Sequence, residues 1–423
     1  VGSEMCIRDS MSDEYLNCLT QNHLAENEIC LLLNSNTQAY LAYNKSLFNH
    51  DFLTNFLRHF DVLLQNLKRN HNSRLQEISL SSKEDIALQI DSWQSPKSDY
   101  GDLPIYRHIE QYAAQFPQSV AITFAAQQLT YEELNTKANQ LAHYLISQNV
   151  KPQDCVAVFV PPGLEIMIAI LAIHKINAVY VPIDTEYPLG RIKNIVQQVS
   201  ASSIICASER FAEIGNSQLN LNIINLPSLN LAQFAAKNPN YPCSPDSLSH
   251  IFFTSGTTGT PKGVVSSHKN LIHYIFTAQE KYRFTAEDSF LAATRYTFSI
   301  SLFTLLLPLV CGGRVDLITL EQLLEPKLLA AAIEQSSFFH LSPSILKILL
   351  DSLEAEHQST ARFDHVKHAS TGGDMIPAEI LNRLNHVFTR AEVYAIYGSS
   401  EISCMGCTYF VPKDLEIKQT LVG

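Results

Sequence analysis

The densest run of chemically capable side chains extends from Ile251 to Gly263, IFFTSGTTGTPKG. An apolar strand leads into a loop of Thr, Ser and Gly that ends in a lysine. Small residues, Gly256 and Gly259 among them, let successive backbone N–H groups face inward as an anion-binding concavity. The hydroxyls of Thr254, Ser255, Thr257 and Thr258 add donors, and Lys262 supplies a point charge. This combination reads as a polyphosphate cradle rather than an ordinary polar connection. It is not the common P-loop, whose G-x-x-x-x-G-K-[ST] pattern needs a Ser or Thr after the lysine. Here Lys262 stands between Pro261 and Gly263. Farther along, Gly372 and Gly373 read by themselves as a turn, and Glu401 as a solvated charge.

Elements of two periods must position that loop. Helix-period segments (Ile105 to Ala114, Tyr131 to Gln148, Gly163 to Ile176) alternate with short β-branched runs (Ala121 to Phe124, Val156 to Val160, Ala178 to Pro182, Ser203 to Cys206, Ile251 to Phe253). Alternation of this kind predicts βα units around largely parallel sheets flanked by helices, an α/β class. Upstream, two strand-like stretches (ICLLLN, AYLAYN) precede an amphipathic helix, Asp51 to Leu67, with Phe52, Phe56, Phe60, Leu63 and Leu64 on one face. Such a small α+β unit cannot bury both faces alone and is expected to complete something larger. The polar, turn-rich stretch from Asp91 to Pro104 reads as a linker.

A chain of 423 residues is long enough for a large domain and an appended piece. Its formal charge of −11 removes the phosphate attraction that a nucleic-acid binder needs, so no nucleic-acid partner is expected. The longest apolar runs, Leu164 to Ile183 and Phe298 to Val310, are interrupted or too short for a bilayer and read as buried helices, with no membrane partner. Nine cysteines without framework spacing suit a reducing compartment, and a cytoplasmic location is expected. Residues 1–10, VGSEMCIRDS, have no periodic pattern and read as foreign.

The loop closely resembles the phosphate-binding motif of the adenylate-forming superfamily, and four further stretches match in order. LTYEELNTKANQLAHYL from Leu129 is similar to the early helix motif of nonribosomal peptide synthetase adenylation domains. PIDTEYPLGR (Pro182 to Arg191), TGGD (Thr371 to Asp374) and YGSSE (Tyr397 to Glu401) resemble the family's Tyr-Pro-x-x-Arg, Gly-Gly-acid and Tyr-Gly-x-x-Glu elements. The resemblance implies that Thr254 to Gly259 and Lys262 hold the β- and γ-phosphates of ATP, that Gly372 and Gly373 approach the adenine, and that Tyr397 stacks on it. It also implies that Ser400 touches the α-phosphate and that Glu401 ligates Mg²⁺, a hard cation suited to carboxylate oxygen. Catalysis would be positioning and charge neutralisation. Thr254, Lys262, Ser400 and Glu401 are the catalytic candidates.

In adenylation domains that take α-amino acids, an aspartate shortly after a Phe binds the substrate ammonium. The matching segment here is FSISLFTLLLPLVCGG, which puts Ser299 at that position. A serine hydroxyl offers a dipole and no charge to a buried ammonium. The expected substrate is therefore a carboxylic acid that extends beyond amino acids to α-keto, α-hydroxy or aryl acids. By the same resemblance the remaining pocket positions are Ile300, Phe303, His340, Ala369, Thr371, Ile396, Cys404 and Met405, a mostly apolar set suited to a branched or aromatic side chain. A lone histidine such as His340 is more often a satisfied core residue than a proton shuttle. Cys404 and Cys407 form an isolated C-x-x-C, too little for zinc.

The expected organisation is a condensation-domain C-terminal remnant (residues 11–85), a linker (86–103) and the N-terminal subdomain of an adenylation domain (104–423), truncated at its end and impaired or inactive alone. The remnant lacks the HHxxxDG motif, so no peptide-bond formation is expected. The resemblance implies acyl-adenylate formation followed by loading onto a carrier-protein phosphopantetheine, with neighbouring synthetase domains as partners. Two alternatives stay open: a stand-alone acyl-CoA or fatty acyl-AMP ligase, and a non-catalytic docking or scaffold fragment.

Overall fold

The computed structural model describes residues 29–33, 39–43, 47–69, 72, 74–92, 98–207, 210–215, 221–254, 261–355, 360–402 and 404–422. The chain divides into two units, Val1–Ser98 and Asp99–Gly423.

In the first unit β1 (Ile29–Leu33) pairs antiparallel with β2 (Ala39–Tyr43), and a helix follows over His50–Arg69. Leu53 is buried, while Phe52, Phe56, Leu57, Leu64 and Leu67 stay exposed among the described residues. The apolar stripe expected of this helix is present but largely uncovered.

The second unit contains two sheets. The first is built from β5 (Cys155–Phe159), β6 (Val179–Pro182), β7 (Ser203–Cys206), β8 (Asn222–Asn225), β9 (Leu248–Thr254) and β10 (Lys262–Ser267), in the order β10-β9-β6-β5-β7-β8. All of its neighbours run parallel except the edge hairpin of β9 with β10. The second sheet has the order β17-β16-β14-β13-β11-β12-β3-β4. Its strands are β3 (Val120–Phe124), β4 (Gln127–Thr130), β11 (Ser289–Ala292), β12 (Arg314–Leu317), β13 (Phe338–Leu341), β14 (His368–Gly372), β16 (Glu392–Tyr397) and β17 (Cys407–Val411). Only the edge strands β4 and β17 are antiparallel to their neighbours. A ribbon of β15 (Met375–Ile376) and β18 (Leu421–Val422) completes the unit.

Local chemistry explains the helices that join these strands. Thr130 caps helix Tyr131–Ser147 by accepting from Glu133 N–H, while the Glu133 carboxylate accepts from Thr130 N–H. Leu134, Ala138, Leu141, Ala142 and Leu145 then recur on the buried face of that helix. Helix Leu164–Lys175 is buried all round. The apolar run from Leu164 to Ile183 is not helical throughout: it divides at Asn177, between the expected helix (Gly163 to Ile176) and the expected strand run (Ala178 to Pro182). Asn177 takes a left-handed conformation (φ 55°), and the chain continues as β6. One core joins this helix and its neighbours to a face of each sheet, a second covers the other face of the β11–β17 sheet, and a third covers the other face of the β5–β10 sheet. The two sheets are thus layered with helices, and the ends of their parallel strands are left free to carry a site.

Candidate active site

The β9–β10 hairpin places Thr254 directly opposite Lys262. Strand β9 is anchored by buried Ile251 and Phe252, so the hairpin tip is held from below. Gly263 is required next to the lysine: a Cβ there would sit 2.9 Å from Ile251 Cγ2 and 3.2 Å from Phe253 Cζ. Ser255, Gly256, Thr257, Thr258 and Gly259 lie outside the described residues. Strand β10 packs beside the turn Ser400–Ile402, which brings the lysine's strand to the YGSSE segment.

At the carboxyl ends of β14 and β16 the backbone approaches closely. A Cβ on Gly372 would lie 2.2 Å from the Ile396 carbonyl oxygen, and one on Gly398 would lie 1.5 Å from the Cys404 carbonyl oxygen. Gly373 takes φ +83° with open space on its side-chain side. Tyr397 and Glu401 are exposed, and Glu401 makes no ion pair among the described residues. These features leave a bare backbone edge, an aromatic face and a free carboxylate together, a set that fits a nucleotide with a hard cation. Magnesium is ordinarily held by one or two carboxylates plus phosphate and water, so the lack of a three-residue metal cluster among the described residues does not conflict with that fit.

Beside this edge lies a cavity of about 500 Å³. It opens at the carboxyl ends of β13, β14 and β16, the usual location for ligands on parallel sheets. Ser299, Ile300, His340, Ile396 and Cys404 of the expected pocket line it, together with Gly372, Gly373 and Ser400. Ser400 Oγ donates to Ser299 Oγ at 3.2 Å, linking the two motifs directly. Among the described residues that line the cavity there is no Asp or Glu.

Four expected pocket positions are not brought to the cavity wall. Ala369 and Thr371 alternate with Ser370 along β14, and it is Ser370 that shares a face with His340, at 3.0 Å. Ala369 therefore packs in the core behind the sheet. Thr371 is fully buried, with no hydrogen-bond partner for its Oγ1 among the described residues. Phe303 is buried among aromatic rings, 5.1 Å from Phe290, and Met405 packs against the same core.

Burial pushes the His340 imidazole down to about 4, so it is neutral at physiological pH. Burial likewise raises the Cys404 thiol to about 11, against weaker opposing hydrogen bonds from Tyr274 and Ser299. Cys404 also holds φ 90°, a left-handed conformation unusual for a residue with a Cβ. Several lining groups went unrecognised in the sequence. Phe298, Leu320 and Leu324 form an exposed apolar mouth. Arg295 stands between the cavity and a second one of about 280 Å³ with which it shares a wall, and it binds Asp184 at 3.2 Å. Asp184 belongs to the PIDTEYPLGR stretch, but nothing local reveals a partner 111 residues away. Within that stretch Arg191 stacks 3.8 Å over Tyr187, an internal clamp.

A profile of AMP-binding enzymes matches residues 109–423. The chain belongs to the AMP-binding enzymes. Members of this family form adenylates, and the relatives of this AMP-binding enzyme include nonribosomal peptide synthetases. It is 31% identical over 307 residues to one of the polypeptides of linear gramicidin synthase of Brevibacillus parabrevis, covering 72% of this chain and 6% of that protein. It is 27% identical over 372 residues to bacitracin synthase 3 of Bacillus licheniformis, covering 88% of this chain and 6% of that protein. The chain thus spans under a tenth of the length of either relative.

Among solved structures, the nonribosomal peptide synthetase FmoA3 superposes with a TM-score of 0.79 at 20% identity, covering 91% of this chain and 41% of that one. The N-terminal subdomain of Klebsiella oxytoca NpsA superposes with a TM-score of 0.63 at 21% identity, covering 73% and 75%. The shared fold is the α/β adenylate-forming one. No helix among the described residues is long and apolar enough to cross a membrane.

Proposed function

We propose that this AMP-binding enzyme activates a carboxylic acid that lacks an α-ammonium group, for loading onto a carrier-protein phosphopantetheine in nonribosomal peptide synthesis. The carboxylate oxygen attacks the α-phosphorus of ATP, the bond to the β-phosphate oxygen breaks, and pyrophosphate leaves with the acid joined to AMP. Thr254 to Gly259 and Lys262 hold the departing phosphates. Gly372 and Gly373 receive the adenine, and Tyr397 stacks on it. Ser400 meets the α-phosphate, and Glu401 is the residue that would hold Mg²⁺, which would supply charge neutralisation there. Ligands in proteins of this fold support acid activation: FmoA3 has been solved with alpha-methyl-L-serine-AMP, and the NpsA subdomain with 3-hydroxybenzoyl-AMSN.

The observation that carries the choice of acid is the cavity lining. Ser299 stands where an ammonium would need a carboxylate, and its hydroxyl already accepts from Ser400. Asp184, in the adjoining cavity, is neutralised by Arg295. An ammonium buried here would go without a counter-ion, a cost of several kcal/mol. Acid-dependent exchange of pyrophosphate into ATP tests this, with amino acids compared against their α-keto and α-hydroxy counterparts and aryl acids. Preference for amino acids would overturn the choice of acid.

The domain reading is part of the same proposal: residues 11–85 as a condensation-domain remnant, 86–103 as a linker and 104–423 as the adenylation domain. The exposed Phe52, Phe56 and Leu64 support a first unit that belongs to a larger fold. Carrier protein and neighbouring synthetase domains are the proposed partners, in the cytoplasm.

A further inference from the structure

We infer that the acid accepted by the 500 Å³ cavity carries a hydrogen-bond donor, a hydroxyl or an N–H, that meets Nε2 of His340. The inference rests on the acid-activation reading above and narrows it.

His340 Nδ1 lies 3.0 Å from Ser370 Oγ, and the same Oγ lies 3.2 Å from the Phe339 carbonyl oxygen. A serine hydroxyl has one proton. If that proton pointed at Nδ1, the contact with the carbonyl would set two oxygen lone pairs against each other. If it points at the carbonyl, both contacts become hydrogen bonds, with Nδ1–H donating to Oγ. Satisfying both contacts assigns the ring proton to Nδ1 and leaves Nε2 with a lone pair.

The hydrogen bond of the His340 ring among the described residues is made through Nδ1, which leaves Nε2 without a partner there, and His340 lines the cavity. Burial holds the imidazole neutral, so Nε2 remains an acceptor at physiological pH. The other polar side chains of the wall differ in kind. Hydroxyls such as those of Ser299, Ser342 and Ser400 turn to donate or accept, and Arg295 only donates. Among the described residues of the wall, Nε2 of His340 is the side-chain nitrogen or oxygen that can only accept. An acid with a purely apolar side chain would bury it unpaired, whereas a hydroxylated acid would satisfy it. Among acids without an α-ammonium, α-hydroxy and hydroxyaryl acids are therefore favoured over α-keto acids that bear no other donor.

The test is calorimetric binding to this chain of sulfamoyl-linked acyl-adenosine analogues whose acyl groups differ by one hydroxyl, such as benzoyl and hydroxybenzoyl. A non-hydrolysable ATP analogue with Mg²⁺ is titrated alongside. The expected result is a preference of about 10- to 100-fold for the best-placed hydroxyl, the effect of leaving one neutral buried acceptor unpaired. That preference should collapse in His340→Phe while nucleotide binding is unchanged. Ser370→Ala frees the ring proton and should reduce the preference without abolishing it. Nitrogen-15 spectra of labelled histidine should show His340 protonated at Nδ1, with the Nε2 resonance shifting when the hydroxylated analogue binds.

An Nε2-protonated ring would overturn the inference. So would equal affinity for each pair in a chain that still binds nucleotide, the result expected if a trapped water satisfies Nε2; acid activation would survive that outcome. Failure to bind nucleotide or any analogue would instead sink the activation reading, and this inference with it.

Discussion

Replacing Ser299 by Asp should convert the cavity from acids without an ammonium to α-amino acids. The new carboxylate would stand at the end of the Ser400 hydroxyl, which donates at 3.2 Å in the parent and can donate to a carboxylate equally well. Two unit charges about 4 Å apart attract by about 1 kcal/mol in bulk water and about 4 kcal/mol at an effective dielectric constant near 20. Ser299 is half-buried, and the wall carries no other acid among the described residues, so the effect should lie in the upper part of that range. That corresponds to a swing of about 100- to 1,000-fold in the ratio of amino-acid to hydroxy-acid binding. The assay is calorimetry with matched aminoacyl and hydroxyacyl sulfamoyl-adenosines on both proteins. A parent that already prefers the aminoacyl analogue, or a variant ratio within threefold of the parent's, would refute the reasoning.

Lys262→Ala and Glu401→Ala should each weaken Mg²⁺-nucleotide binding at least about tenfold, since a charge-assisted contact is lost. Both residues are exposed, so the melting temperature should move by no more than a degree or two, and a large drop would place them in the fold instead. Gly373→Ala should cost about 1–2 kcal/mol in equilibrium denaturation, the strain of a left-handed alanine in open space. Gly372→Ala should cost more, about 3 kcal/mol or above, because its Cβ would lie 2.2 Å from the Ile396 carbonyl; equal costs would contradict the close approach. Stability should also fall as pH is lowered from about 6.5 towards 4. Burial holds His174 and His340 down at about 4, so the unfolded chain binds more protons than the native one in this window. Each of these histidines adds up to about 1.4 kcal/mol per pH unit to the slope, with stability retained above 6.5 and lost as pH drops. A flat unfolding profile from pH 6.5 to 4.5 would count against neutral buried imidazoles, and His340→Phe should make the slope shallower.

Much of the architecture was legible in the chain because its signals are local. The helix starting at Tyr131 is announced by a Thr130–Glu133 cap and a buried stripe at helical spacing, and β5 and β7 by short β-branched runs. The ordered motifs around Lys262, Gly372 and Glu401 likewise need only their own neighbours to be read, and they carried the resemblance that the profile match over residues 109–423 establishes. The division of the Leu164 to Ile183 run at Asn177 is legible as a change of period, from a helix ending at Ile176 to a β-branched run beginning at Ala178.

Which side chains face the cavity was decided only by the tertiary structure. Alternation along β14 is certain from sequence, but its phase is set by pairing with β13 and β16, and a slip of one residue exchanges the faces. The resemblance puts Ala369 and Thr371 at the wall, whereas Ser370 is the residue that meets His340. The same holds for the contacts that tune the chemistry. Ser299 and Ser400 are 101 residues apart, Asp184 and Arg295 are 111 apart, and His340 and Ser370 are 30 apart. The sequence by itself determined which groups exist and which elements carry them. Only the packing of parallel strands, whose partners are distant in the chain, decided which of those side chains line the cavity and which partners Ser299 and His340 find there.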